Sequence, residues 1–486
     1  MKNRSQLDWL VYFAGSAYVI LFLFSAGLRL IYPYEVEWNE GAVLDHAIRI
    51  VTNKPIYAAP SLDFTAFVYT PLYYYATALL MKIGGVGLWS GRVISIIATL
   101  LTAKIMGRIV HRETSSSLLA FTSVALYIAF YHLTGFFYDI VRMDALAICL
   151  VTGSIYAALY LRRGYLIAAV LVALAYFTKQ QMIFALPALL LGLAFRSRKH
   201  AAWFGILSVG LILFGSITYN WGTNGWYGFY TTTIPGMKAA ESFSWLTAFE
   251  FFPIWIVSTM GLFTLVLLVA IIIIGKKNLR GIWPILWSMT LMALISSALS
   301  IGNFGGYRNV FMPLTMMLAI VFPIGIKVIA DAFPDRPRLV HILILLGFLS
   351  LVYNPLGEKM LFASARQRQA GDEFIEKLEA IPGDVWIPFH GYIGALARKQ
   401  MHVHYMAMND ALVPHDSTSM RFQRQIDSAL TAHRFSAIIL DEQSVYRWDS
   451  VSHYVQTSSV FKTPNVFLSR IGDASTRPDH IFLPAP

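Results

Sequence analysis

Eleven apolar stretches divide this chain, near 9–31, 89–111, 115–134, 144–161, 164–178, 181–195, 201–219, 250–274, 281–301, 309–330 and 338–354. Most approach the roughly 20 residues that an α-helix needs to cross about 30 Å of hydrocarbon. With 57% of 486 residues hydrophobic and only 13% charged, the bilayer must be the main solvent. A spanning segment in lipid must satisfy its own backbone, which leaves helices or a closed barrel. The short alternating strands of a barrel are missing here. The expectation is an all-α polytopic membrane protein with about eleven transmembrane helices and a small C-terminal soluble α/β domain. The first stretch is too long for a cleaved signal and lacks a small-residue cleavage site, so it is expected to be a retained signal-anchor.

A formal net charge of +11 would, in a soluble chain, raise nucleic acid as a partner. The basic residues instead stand in short clusters between apolar stretches, where they orient helices, and nucleic-acid binding is not expected. Lys2/Arg4, Lys104/Arg108/Arg112, Arg162/Arg163, Arg196/Arg198/Lys199, Lys276/Lys277/Arg280 and Lys327/Arg336/Arg338 fall on alternate connections. The positive-inside rule puts that set in the cytoplasm together with the N-terminus. Segments 32–88 and 220–249, the turns near 135–144, 179–181 and 302–309, and everything after 355 are then outside, across what is expected to be the cell (inner) membrane. Cys149 lies in an apolar run and, as the single cysteine, excludes an intramolecular disulfide.

Two domains are expected, a membrane domain at 1–354 and a soluble one at 355–486. The first outer loop, 32–88, carries Val43, Leu44, Ala47, Ile48 and Val51 at helical spacing from Glu40, with Asp45, His46 and Arg49 opposite. Such a helix lies flat in the membrane interface. Pro71 to Ile83 is a second interfacial helix or a short span, and the Lys/Arg asymmetry argues against a full crossing. Residues 220–249, rich in Trp221, Trp226, Tyr227 and Tyr230, suggest a mobile loop on the headgroups. In the soluble domain, 366–380 and 416–434 are predicted as helices and 384–389, 401–407 and 435–441 as strands. It has no Gly-rich phosphate loop.

Ionisable groups are expensive at membrane depth, so those at the outer ends of spans are the chemical candidates. Glu35, Glu37 and Glu40 fall within six residues just after the first span. Asn39 is predicted to cap a helix whose first turn favours ionised Glu40. A carboxylate held charged beside an apolar surface serves as a general base or binds a cation; the alternative is that these glutamates cap a helix and face water. Asp139, Arg142 and Asp144 share one outer level, either as an ion-pair network pinning the turn or as part of a site. Lys179, followed by Gln180, opposes the charge bias and needs an anionic partner: Asp139, Asp144 or a phosphate. The turn Gly302-Asn303-Phe304-Gly305-Gly306-Tyr307-Arg308-Asn309 adds an outer cation and glycines that let a ligand approach the backbone. Lys238 and Glu241 are weaker candidates, since an aromatic loop also carries solvated charges. His390, His402, His404 and His415 belong to the soluble domain. His402 and His404 alternate onto one predicted strand face but lack a matched further ligand, which favours a structural role.

At these motifs the chain resembles the GT-C superfamily of integral membrane glycosyltransferases, which includes protein O-mannosyltransferases and the bacterial aminoarabinose transferases acting on lipid A. The likeness rests on the acidic motif after the first span, Lys54-Pro55-Ile56-Tyr57, the Tyr69 to Tyr74 element, Arg92, the Arg142 to Ala147 stretch and the Phe177 to Gln181 stretch. Asn39 before Glu40 departs from the adjacent Asp-Glu of many members. The resemblance implies transfer of a hexosyl or pentosyl group from a polyprenyl-phosphate donor to a lipid, glycan or protein acceptor on the non-cytoplasmic face, with inversion. It implies Glu37 or Glu40 as base with Glu35 in support, and Lys179, Arg142 and Arg308 on the donor phosphate. Asp139 and Asp144 would orient those groups or hold a divalent cation, with Gln180 and Asn309 as further supporting residues. Rival readings are a transporter or lipid flippase, disfavoured because the charges crowd the outer boundary rather than the midplane, and a non-catalytic glycolipid-binding subunit.

Overall fold

The computed structural model describes residues 5–275, 281–303, 305–352, 364–441, 453–463, 466–469, 471–472 and 476–486. Lys2, Arg4, Lys276, Lys277, Arg280, Phe304 and the junction at 354–355 lie outside them. The chain is a multi-pass integral membrane protein. Helix α1 (Gln6–Leu30) opens on a capping box between Ser5 and Asp8. The first outer segment then carries α2 (Glu40–Val51) and α3 (Leu72–Gly84). Of helices α4 (Trp89–Thr114), α5 (Ser117–Ala129), α6 (Asp144–Tyr160), α7 (Gly164–Thr178), α8 (Ala185–Arg196) and α9 (Arg198–Gly222), α4 packs against α5 and α6, and α7 against α6 and α9. Then come α10 (Trp226–Gly228), α11 (Ile234–Ser242), α12 (Trp245–Phe251) and α13 (Gly261–Ile274), with π-helical segments over Phe229–Thr233 and Phe252–Thr259. Helices α14 (Trp283–Ile301), α15 (Met312–Ala332) and α16 (Leu339–Leu349) complete the bundle. Almost all of α15 is buried, as expected of a helix that is apolar all round.

A helix stands at each of the eleven expected positions, but they are not alike. Five are long and apolar enough to cross alone, and the pair Trp245–Thr259 and Gly261–Ile274 joins them only as one span bent by 88°. The others are shorter; α5, at 13 residues, rises only about 20 Å. Irregular backbone at such depth is tolerated where protein buries it, and the segment after α5 meets that condition: Phe137 to Asp144 is buried throughout.

Two segments depart from the sequence reading. Residues 220–249 are helical over most of their length rather than a loop. Helix α2 is covered on both sides: Val43, Leu44 and Ala47 are buried, and so is His46, which stacks on Tyr74 at 4.4 Å and accepts the Phe67 N–H at 2.9 Å.

In the C-terminal unit, α17 (Ala365–Ala380), α18 (Gly391–Leu396), α19 (Tyr405–Leu412) and α20 (Ser417–Thr431) accompany a four-stranded sheet. Strands β1 (Val385–Trp386), β2 (Ala437–Asp441), β3 (Tyr454–Ser459) and β4 (Pro478–Pro484) run in the order β1-β2-β4-β3, the first pair parallel and the others antiparallel. The strand expected at 401–407 does not form. Val403 N–H donates to Leu62 O at 2.8 Å and Tyr405 N–H to Pro388 O at 2.7 Å, so tertiary bonds take the donors a ladder would use, and α19 starts at Tyr405. A second apolar core, including Val43, Leu44, Tyr73, Trp386, Phe389 and Ile438, joins α2 and α3 to this unit.

Candidate active site

A cavity of about 620 Å³ lies where the first outer segment, the bundle and the C-terminal unit meet. One wall comes from helix ends. Arg142 precedes α6 and Lys179 ends α7; both side chains are buried and both line the cavity. Lys179 Nζ pairs with Asp144 Oδ1 at 2.5 Å, and the same oxygen accepts from Asn309 Nδ2 at 3.0 Å. Asp144, in the first turn of α6, thus ties the ends of α6 and α7 to the turn before α15. Gln180 donates to Val68 O at 2.6 Å and fastens that corner to the first outer segment.

Arg142 is less fully satisfied than Lys179. Its Nη1 stands 3.7 Å from Glu37 Oε2 and its Nη2 makes a long 3.4 Å bond to Tyr69 Oη, while Nε and Nη1 have no hydrogen-bond acceptor among the described residues. A buried guanidinium with spare donors is poised for an anion. Glu37 faces it across the cavity wall, its two oxygens accepting from Asn39 Nδ2 at 3.0 Å and Asn39 N–H at 3.2 Å. Asn39 precedes α2 without capping it: its backbone is already helical, at φ −94° and ψ −4°, and its side-chain oxygen makes no bond to the first turn.

The three glutamates of the acidic motif part company. Glu40 accepts from Arg92 Nε and Nη2 at 3.0 and 2.8 Å and from the Val36 and Val141 N–H groups at 2.8 and 2.9 Å. Burial alone would push its pKa up, but Arg92 and these backbone donors hold it below the usual carboxylate range. It is a buried staple off the cavity wall. Glu35 is also off the wall and pairs with His390 of the C-terminal unit; burial pushes its pKa up. Asp139 pairs with Arg29 at 2.9 Å and accepts from Tyr131 Oη at 2.6 Å, away from the cavity. Arg308 is exposed, 5.9 Å over the Trp255 ring. The structure thus gathers Glu37, Arg142, Lys179, Gln180 and Asn309, with Asp144 behind them, and leaves Glu35, Glu40, Asp139 and Arg308 outside. Asp139 and Asp144 serve different cations, and no three His, Cys, Asp or Glu side chains among the described residues are grouped to hold a metal ion.

The opposite wall was underrated by sequence reasoning. Lys238 of α11 pairs with Asp410 of α19 at 2.5 Å, and Glu241, Tyr405, Met406 and Asn409 line the same side. The one sequence signal was a lone acid inside the apolar Met406 to Leu412 run, matching a lone lysine on the outer side. His402 is buried between Asp63 and Asp384, at 3.7 and 3.8 Å, and His404 stacks near Trp38, its pKa lowered to about 3 by burial.

Comparison with known proteins bears on the fold that carries this cavity. Residues 68–219, which include Tyr69, Arg142, Asp144, Lys179 and Gln180, match the family described as dolichyl-phosphate-mannose-protein mannosyltransferase. Crystal structures of ArnT from Cupriavidus metallidurans, in the apo state and bound to undecaprenyl phosphate, each superpose with a TM-score of 0.63 at 10% identity. They cover 98% of this chain and 97% and 98% of their own. The chain has the GT-C fold. The match extends over the C-terminal unit as well as the bundle. No curated protein sequence matches the chain.

Proposed function

We propose that the chain transfers a sugar from a polyprenyl-phosphate donor to an acceptor hydroxyl, with inversion, on the non-cytoplasmic side of the cell membrane. The observation that carries the reading is a carboxylate and an under-satisfied guanidinium facing one cavity, Glu37 Oε2 lying 3.7 Å from Arg142 Nη1 with Lys179 alongside. The mannosyltransferase family match across the Arg142 and Lys179 wall, and the ArnT complex with undecaprenyl phosphate on the same fold, support the donor class. The alternation of Lys/Arg clusters supports the orientation.

In this mechanism Arg142 and Lys179 hold the donor phosphate, and Glu37 takes the proton of the acceptor hydroxyl. The acceptor oxygen bonds to the anomeric carbon from the face opposite the phosphate, the bond from that carbon to the phosphate oxygen breaks, and polyprenyl phosphate leaves with its negative charge neutralised by the two cations. Glu40, saturated by Arg92 and two backbone donors, has no capacity left for proton transfer and holds the loop in shape.

The test is sugar transfer by purified protein in proteoliposomes offered a panel of undecaprenyl-phosphate sugars and a cell-envelope extract as acceptor. The expected result is transfer by the wild type and loss of at least about 10³-fold in Glu37→Gln with undecaprenyl phosphate still bound. Wild-type turnover in Glu37→Gln removes the base assignment. Donor movement across the bilayer without transfer would make the chain a flippase.

A further inference from the structure

Glu35 lies two residues before Glu37 and does not face the cavity, yet it is 5% exposed and engages the C-terminal unit. His390, at 1% exposure, donates through Nδ1 to Glu35 Oε2 and through Nε2 to Asp441 Oδ2 at 3.1 Å. The other oxygens of both carboxylates, Glu35 Oε1 and Asp441 Oδ1, have no hydrogen-bond partner among the described residues. The imidazole is therefore the shared partner of two buried acids, one from each part of the molecule.

The neighbouring residues are held in the same way. Tyr34 Oη donates to Asp372 at 2.5 Å, Ser469 Oγ to Glu35 O at 3.3 Å and the Ile471 N–H to Val36 O at 3.0 Å, and Glu37 forms a parallel bridge with Ile471. From the bundle side, Arg92 donates to the carbonyls of Arg29, Tyr32 and Tyr34 at 2.6, 2.6 and 2.8 Å. Four successive residues ending in Glu37 are thus gripped by the C-terminal unit, while Arg92 holds the chain leading into them.

We propose that His390 is a positioning residue for the transfer reaction: bridging Glu35 and Asp441, it fixes the loop that aims Glu37, which makes the C-terminal unit an integral part of the active site. The inference rests on the function proposed above. The bridge acts on placement and touches no reacting atom, so its loss moves turnover and spares donor binding. A displacement of about 1 Å at a reacting group lowers turnover about 10²-fold.

The experiment compares His390→Asn, Glu35→Gln and the double variant with the wild type in proteoliposomes. It reads kcat and KM for the donor, binding of undecaprenyl phosphate, and amide hydrogen exchange over residues 34–41. The expected result is a kcat about 100-fold lower in each single variant, undecaprenyl phosphate binding within about twofold, and faster exchange confined to 34–41. The double variant should be no worse than the worse single one, because both remove one link. Unchanged exchange over 34–41 in His390→Asn, unchanged kcat, or a fall in binding that tracks the fall in activity would each overturn the proposal. A wild type that transfers no sugar fails the functional reading itself, and is told apart from these outcomes because no variant enters into it.

Discussion

The two walls of the cavity are built on different principles. On the bundle side, Arg142, Lys179, Asp144 and Asn309 are all buried and sit where helices begin or end, and Asp144 ties Lys179 and Asn309 by bonds of 2.5 and 3.0 Å. On the far side, Lys238 is a quarter exposed and rides on the short helix α11, between two π-helical segments and ahead of the 88° break near Met260. π-Helical turns are rare and occur frequently at functional sites. A wall fixed by buried ion pairs suits the invariant part of a substrate, its phosphate. A wall carried by a short helix against α19 suits the part that differs from one acceptor to another.

Substitutions can break this contrast. Replacing Arg142 or Lys179 with Gln should lower kcat/KM for the donor about 100-fold, since each removes a charge-assisted contact in a dry site. Proteoliposome kinetics with varied donor check it, and equal losses for donor and acceptor would erase the distinction between the walls. Lys238→Ala and Asp410→Asn should have a smaller effect, raising the acceptor KM about tenfold with donor binding kept. A loss of undecaprenyl phosphate binding in Lys238→Ala would move the phosphate to the far wall.

The smallest expected effect is one of pH. Burial alone would lower the His390 pKa, but Asp441 and Glu35 on either side raise it to about 10. His404 is the other ionisable group coupled to it, and burial keeps that ring neutral. A group whose folded pKa lies above its unfolded value near 6.5 stabilises fully below that value and loses its contribution as pH rises through about 10. Protection of residues 34–41 against exchange, corrected for intrinsic rates, should hold below about pH 6.5 and fall steadily from there toward pH 10. In His390→Asn the same profile should be flat.

The membrane class, the eleven helix positions and the helices at 40–51, 72–84, 365–380 and 417–431 were legible because apolar periodicity is local information. The division of labour among Glu35, Glu37 and Glu40 was not. All three sit in one short acidic run, and what separates them is contact with Arg92, Arg142 and His390, which lie 52 to 355 residues away in sequence. Lys179 could be read as needing an acid, and the choice of Asp144 over Asp139 came only with Arg29 capturing the latter. Asn39 does not cap as its residue type suggests, because capping preference says nothing about backbone conformation, and its backbone is already in the helical region, where the side-chain oxygen makes no bond to the first turn. The helical 220–249 segment was hidden by its glycines and aromatics, which suit a headgroup loop equally well.

The bridge between Glu37 and Ile471 gives the reaction centre a time of birth. Synthesis has to run more than 430 residues past Glu37 before the loop that carries it gains this neighbour. On the function proposed above, a half-made chain would hold its cations without a correctly aimed acid.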